Sequence, residues 1–216
     1  MSCSITLRDL SLARNGEVLF ENVTLSVGHK DKIAVMGHNG AGKTTLLKSI
    51  VGLCRVRSGT VEIFHHKLVT EEDFRKARGH IGFVFQDSDD QIIAPTVIEE
   101  VAFGLLNSRM KPAEAEAQAE AMLNELGISH LRDRITLHLS GGEKKLVTLA
   151  SVLVMKPDIL LLDEPSAGLD EKSVNQLASI LASIDKSMLI VSHDLEFVNK
   201  MGAQIMYLTR EGLVRG

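Results

Sequence analysis

The residues Gly37-His38-Asn39-Gly40-Ala41-Gly42-Lys43-Thr44 have the form G-x-x-x-x-G-K-[ST], a spacing suited to cradling phosphate. Gly37, Gly40 and Gly42 carry no Cβ, so the backbone there can wrap close to oxygen atoms. Lys43 would reach the β- and γ-phosphates of a nucleotide, and Thr44, followed by Thr45, would hold Mg²⁺. The flanking pattern supports this chemistry. Ile33-Ala34-Val35-Met36 is an apolar run of strand length, and Leu46, Leu47, Ile50 and Val51 recur at helical spacing. A strand entering a glycine-rich turn and then a helix aims free N–H groups at one spot, where the helix dipole favours an anion.

Three further reactive groups stand at the ends of apolar runs. Gln86 follows Ile81-Gly82-Phe83-Val84-Phe85, Asp163-Glu164 follow Ile159-Leu160-Leu161-Leu162, and His193 follows Met188–Ser192. In a parallel α/β sheet ligands gather at the carboxyl ends of strands, so the four groups are expected to converge. Asp163 suits a Mg²⁺ ligand, direct or through water. Glu164 suits a base that orients or deprotonates an attacking water. The plainer reading of these two acids is a solvent-exposed pair before a turn. Ser140-Gly141-Gly142-Glu143 is a capping box opening a helix to about Val154 that is apolar nearly all round, and Pro157 marks its end. Its N-terminus is a second anion-binding end.

The elements that must position these groups follow from the patterning. Ile5, Leu7, Leu10 and Leu12 form an alternating strand with a one-residue slip. Asn15-Gly16 is a hairpin signal, and Val18–Val27 is the returning strand. Ser58-Gly59 reads as a turn before a strand over Thr60–Phe64, and Glu71–Arg78 as a short polar helix. From Thr96 to about Asp133 alanine, glutamate and leucine replace β-branched runs. Pro112 suits the first turn of a helix over Ala113–Leu126, and Gly127 its C-terminal cap. Asp170 is placed to cap a helix whose stripe is Val174, Leu177, Ala178 and Leu181. A short helix after His193 and a hairpin of Gln204–Thr209 with Leu213-Val214 close the chain. The expected fold is α/β: a mainly parallel sheet flanked by helices, with an antiparallel N-terminal β part and an α-helical insert. The expected division is one domain, with residues 1–95 and 134–216 as core and 96–133 as the insert.

Composition narrows the function classes. The chain has 216 residues, 44% of them apolar, enough for one sizeable core. A net charge of −4 gives a nucleic-acid partner no electrostatic support. Cys3 and Cys54 lack metal-ligand spacing and read as free thiols of a reducing compartment. Met1 to Leu12 has no signal-peptide core, and no run reaches the roughly 18 apolar residues of a membrane span. Any membrane role therefore requires another chain to cross the bilayer.

Leu139-Ser140-Gly141-Gly142-Glu143, in company with the phosphate loop, resembles the signature of the ATP-binding-cassette (ABC) ATPases, and the likeness covers nearly the whole chain. The resemblance implies the phosphate-loop NTPase fold of that family, with ATP and Mg²⁺ as ligands. It implies that Ser140, Gly141 and Gly142 bind the γ-phosphate of an ATP held by a second ATPase subunit, a copy or a paralogue. Gln86 then matches the glutamine that contacts Mg²⁺, water and the membrane partner. Ser166-Ala167-Gly168-Leu169-Asp170 matches the loop that crosses the dimer interface, although Asp170 is equally a helix cap. His193 matches the histidine that contacts the γ-phosphate, whereas His65, His66, His80 and His138 read as surface residues. The family's adenine-stacking aromatic is missing from Leu12-Ala13-Arg14-Asn15-Gly16. Arg14 is the candidate substitute, since a guanidinium packs flat on ring faces.

Phe85-Gln86-Asp87-Ser88-Asp89-Asp90-Gln91, with Pro95-Thr96-Val97 and Glu99-Glu100-Val101-Ala102-Phe103-Gly104, resembles the energy-coupling-factor (ECF) branch, as does Glu143-Lys144-Lys145. That branch takes up cobalt, nickel, biotin and other vitamins. The likeness implies a transmembrane coupling subunit, a substrate-binding membrane subunit and a place at the cytoplasmic face of the membrane. Ile92, Ile93 and Val97 are the expected docking residues, unless they pack inside the insert. With the chain stopping at Gly216, and no C-terminal extension of the kind some longer relatives carry, weak dimerisation without ATP is expected. The rival class, a non-transport ABC ATPase acting on DNA or ribosomes, calls for long heptad insertions or two cassettes, neither of which the sequence contains.

Overall fold

The computed structural model describes residues 3–14 and 17–216; the Asn15-Gly16 hairpin signal lies outside them. The chain builds two sheets. In the first, β1 (Cys3–Arg14) pairs antiparallel with β2 (Glu17–Gly28) on one side and β4 (Ser58–Ile63) on the other, with β5 (His66–Lys67) beyond β4. The slip in β1 is a bulge. The register shifts between Leu7 and Leu10, Asp9 adopts φ 48°, and Thr24 Oγ1 accepts from the Asp9 amide at 3.0 Å. Ile5, Leu7, Leu10 and Leu12 are all buried as a result.

The expected turn at Ser58-Gly59 is overturned. Both residues lie inside β4, and Ser58 pairs with Ser11. Gly59 has φ +90°, and a Cβ there would stand 2.5 Å from the Arg8 and Asp9 carbonyl oxygens. The glycine lets β4 pass the bulge of its neighbour, a requirement that looks in sequence like a turn.

The second sheet runs β10-β9-β3-β8-β7-β6, comprising β3 (Lys32–Met36), β6 (Ile81–Val84), β7 (Ile159–Asp163), β8 (Ser187–Val191), β9 (Gln204–Thr209) and β10 (Gly212–Arg215). All neighbours are parallel except β9 and β10. Side chains alternate between two cores. Ile33, Val35, Ile159, Leu161, Leu189 and Val191 pack with the first sheet, α1 (Lys43–Ile50) and α2 (Glu71–Arg78). Ala34, Leu160, Leu162, Met188 and Ile190 pack with α3 (Val97–Asn107), α4 (Pro112–Glu125), α5 (Gly141–Leu153), α6 (Glu171–Ser183) and α7 (Leu195–Lys200). Burial on both faces explains why the central strands read as unbroken apolar runs.

Local signals set most helix ends. Ser140, Asp170 and Asp194 side chains accept from backbone N–H groups in the first turns of α5, α6 and α7. Pro112 opens α4, and Gly127, at φ +70°, follows it. Val97 corrects the docking expectation: it is fully buried at the start of α3, whereas Ile93 is 65% exposed. Among the described residues no helix is long and apolar enough to cross a membrane.

Candidate nucleotide-binding site

The order β3-β8-β7-β6 sets four parallel strands side by side, so the groups at their carboxyl ends share one edge of the sheet. Arg14, Leu19, Asn39, Gly40, Gly42, Lys43, Thr44, Thr45, Gln86, Glu164 and His193 line a single cleft of about 380 Å³. A larger cleft of about 900 Å³ shares Thr44 and Gln86 with it and adds Asp163, Asp87, Ala167 and Gly168. The smaller one contains the phosphate loop and is where the chemistry of the site gathers. Gly37, His38 and Ala41 support the loop without lining either cleft. Ala41 is buried, and His38 Nδ1 lies 2.9 Å from the Asn39 carbonyl oxygen.

Gly42 precedes α1 in the left-handed region at φ 93°, a conformation that suits glycine. No side chain caps α1 and its first turn has no acid, in contrast to α5, α6 and α7. An anion lying in the cleft would complete that end. Lys43 is 6% exposed, and its ammonium donates to the Gly37 carbonyl at 2.8 Å and the His38 carbonyl at 3.3 Å. The same ammonium stands 3.8 Å from Glu164 Oε1.

The two acids at the carboxyl end of β7 are buried, 3% exposed for Asp163, its last residue, and 6% for Glu164, which follows it, so the reading of a solvated pair falls. Thr44 Oγ1 donates to Asp163 Oδ1 at 2.9 Å, joining α1 to β7. Glu164 sits at φ 44°, and its amide donates to the Val191 carbonyl of β8 at 2.8 Å. Its Oε2 accepts from the His193 amide at 3.2 Å and lies 2.7 Å from His193 Nδ1. The donors near the loop are hard oxygens, a threonine hydroxyl and a carboxylate, which suit Mg²⁺. No group of three or more His, Cys, Asp or Glu side chains able to hold a metal occurs among the described residues. A nucleotide-held Mg²⁺ does not need one, because phosphates and water supply most of its ligands.

Burial raises the Asp163 carboxyl above its ordinary range; the Thr44 hydrogen bond opposes this and the Glu164 charge adds to it. A carboxyl raised in the folded state favours folding only while protonated. Its ionised form therefore destabilises the nucleotide-free protein at neutral pH, and that penalty vanishes as pH falls below the ordinary aspartate range near about 3.9. Asp163→Asn is expected to raise Tm at pH 7, without nucleotide or metal, by about 2–4 °C, the shift ~1 kcal/mol makes in a domain this size. The gain should shrink towards pH 4; thermal melts that show a lower Tm for the variant at pH 7 would refute the assignment.

The signature lies elsewhere. Ser140 is exposed, its hydroxyl accepts from the Glu143 amide at 3.3 Å, and its own amide donates to Glu143 Oε2 at 2.7 Å. These Ser140 contacts hold the Glu143 carboxyl below its usual range. Gly142 packs closely on α6, since a Cβ there would come within 2.4 Å of Ser173 Oγ. Ser140, Gly141 and Gly142 line neither cleft of their own chain. Asp170 accepts from the Ser173 amide at 2.8 Å, and its contacts with Ser173 lower its carboxyl.

Two residues that the sequence singled out only for their likeness to the ECF branch, Gln91 and Lys145, shape the Gln86 loop, a role that reading did not assign them. Gln91 donates to the Phe83 carbonyl at 3.0 Å and accepts from the Phe85 amide at 2.9 Å, closing the loop on itself. Lys145, on α5, is 5% exposed and donates to the Phe85 carbonyl at 3.0 Å and the Gln86 carbonyl at 2.6 Å. A lysine within the buried stripe of an apolar helix was the available signal.

The model of the ABC transporter family matches residues 20–167. A putative ABC transporter ATP-binding protein of Brucella suis is 45% identical over 91% of this chain and 82% of that protein. An energy-coupling factor transporter ATP-binding protein of Methanoculleus marisnigri is 40% identical over 97% of this chain and 76% of its own length. The solved structure of cbiO1 from Clostridium perfringens, part of the ABC transporter complex cbiONQ, matches with a TM-score of 0.88 at 28% identity, covering 99% of this chain and 88% of that one. The phosphate loop and the strand-end acids thus sit in a cassette shared with ABC transporter ATP-binding proteins: the chain belongs to the ABC transporter family, as an ATP-binding and ATP-hydrolysing subunit.

Proposed function

We propose that this chain energises an ECF-type importer at the cytoplasmic face of the membrane, driving uptake of cobalt, nickel or a vitamin such as biotin through separate membrane subunits. The observation that carries the reading is a division of the site. The phosphate loop, Gln86, Glu164 and His193 share one cleft, while the exposed Ser140 end of α5 lies outside it. A second subunit, a copy or a paralogue, would bring its Ser140, Gly141, Gly142 and Asp170 to the open side of the nucleotide. The branch assignment is supported by the likeness to the Methanoculleus energy-coupling-factor protein and to cbiO1.

In this mechanism the loop amides and Lys43 bind the phosphates. Thr44, Asp163 and Gln86 would hold Mg²⁺, which would supply positive charge to offset that of the phosphates. Glu164 accepts a proton from the attacking water, and His193, held by Glu164, contacts the γ-phosphate. Ile93, 65% exposed, and Leu137, 80% exposed, stand beside a small hollow formed with Ile92, Ala94 and Pro95. Thr136 Oγ1 donates to the Ala94 carbonyl at 2.7 Å, and Glu100 accepts from the Ile93 and Ala94 amides, so this turn is held firmly for a coupling subunit to grip. Insert 96–133 and core would then move together as one lever.

Arg14 lines the cleft beside Leu19, where its guanidinium would stack on the adenine. Arg14→Ala is expected to weaken ATP about 2- to 5-fold, the effect of losing ~0.5–1 kcal/mol of exposed cation–π contact, with turnover at saturating ATP unchanged. Unaltered ATP affinity in a fluorescent-nucleotide titration would remove that role.

The assignment is tested by tagging this chain in its native host, isolating it with its partners and measuring uptake of labelled cobalt, nickel and biotin with and without it. Co-isolation of polytopic membrane proteins with loss of one uptake activity supports the reading. Loss of uptake of an unrelated solute moves the chain to another importer branch. Co-isolation with ribosomes or nucleic acid alone overturns it.

A further inference from the structure

Two lysines are buried among the described residues, Lys43 in the phosphate loop and Lys145 on α5. Lys145 lines neither cleft. Its ammonium is spent on two backbone carbonyls, those of Phe85 and Gln86. Burial lowers its affinity for a proton, and the charges of Asp87 and Asp163 pull it back up. Taking an ammonium out of water costs several kcal/mol before its contacts repay any of it. The neighbours Leu146, Val147, Leu149 and Ala150 are buried and apolar, so an apolar side chain at this position would suit packing alone.

The placement of the tie is informative. Lys145 lies five residues after Ser140, about 7–8 Å along the helix. The adjacent Lys144 reaches the same loop from outside, 2.5 Å from Asp89. Helix α5 thus grips loop 85–89 twice, once at Gln86 itself. Two buried hydroxyls lack partners among the described residues, Ser88 in the loop and Thr148 one turn along α5 from Lys145. Buried polar groups left unpaired in this way are uncommon.

We propose that Lys145 is a positioning residue that fixes the backbone of Gln86 to the signature helix, so that Gln86 meets the metal and water only when α5 is seated. The inference rests on the reading of Gln86 as a Mg²⁺ and water contact. It makes the hydrolytic step of one subunit depend on the placement of the helix whose tip serves the other.

The test uses the purified full chain with Mg²⁺-ATP and scores turnover, the Mg²⁺ concentration for half-maximal turnover, metal-free ATP affinity and Tm. Lys145→Met is expected to lower kcat about tenfold and raise the Mg²⁺ requirement about threefold, as for a misplaced contact group, with metal-free ATP affinity within about twofold. Lys145→Arg, which keeps donors for both carbonyls, should restore most of the loss. In a Gln86→Ala background, Lys145→Met should change kcat by less than about twofold, because both substitutions remove the same contact. Full additivity with Gln86→Ala, or a loss that follows Tm and that arginine does not rescue, would leave Lys145 a packing residue and overturn the proposal. Should Gln86→Ala itself leave turnover and Mg²⁺ requirement unchanged, the Gln86 reading fails and takes the proposal with it. If the methionine variant does not fold, Lys145→Gln is read in the same way.

Discussion

Replacing Glu164 by glutamine is expected to slow ATP hydrolysis by about 10²–10⁴-fold, the range for a positioned general base, while ATP still binds within a few-fold of the parent. The geometry separates the two effects. Lys43 and the loop amides supply the phosphate contacts and are untouched by the change. Glu164 is 6% exposed, at the mouth of β7, with one oxygen on the His193 amide and imidazole and the other 3.8 Å from the Lys43 ammonium. Glutamine keeps an acceptor for His193 but cannot take a proton from water. With hydrolysis stalled, two subunits sharing ATP should stay closed, so gel filtration with Mg²⁺-ATP should show a dimer for the variant at concentrations where the parent is monomeric. Phosphate-release assays check the first expectation. Brisk turnover by Glu164→Gln would assign the base elsewhere.

Lys43→Ala should abolish useful nucleotide binding, weakening ATP by about 10²-fold or more, since a charge-assisted phosphate contact is worth about 1.5–3 kcal/mol and the lysine spans two phosphates. The ammonium already points across the loop, held by the Gly37 and His38 carbonyls, so little side-chain entropy is lost when phosphate arrives. The substitution also leaves the buried Glu164 without the cation 3.8 Å from it, so a lower Tm is expected alongside the binding loss. Isothermal titration reads affinity, and a melt reads whether the fold survives. Retention of near-parental affinity by a folded variant would mean that the amides alone carry the phosphates.

Much of this was legible from one dimension. The run Ile33–Met36, the glycines and the periodic leucines that follow declare a strand, a turn and a helix, because each depends on neighbours a few residues apart. Caps at Ser140 and Asp170 are likewise local, being bonds between residues three apart. The convergence of the strand-end groups in one cleft was also visible, because burial of a parallel sheet on both faces leaves reactive groups the strand ends.

Partnerships across the chain were decided by packing. Thr44 meets Asp163 across 119 residues only because α1 lies over β7, and His193 meets Glu164 because β8 lies beside β7. Gly59 read as a turn because its real constraint, the Asp9 bulge, belongs to another strand. Val97 was expected to be open to a partner and is instead buried. Lys145 carried no local motif for its bond to Gln86, since no periodicity records which carbonyl a distant ammonium will reach. Amino-acid order determined what each segment would become and which faces it would bury. Only the tertiary structure decided which segments stand side by side, because pairing depends on packing energies shared among residues far apart in the chain.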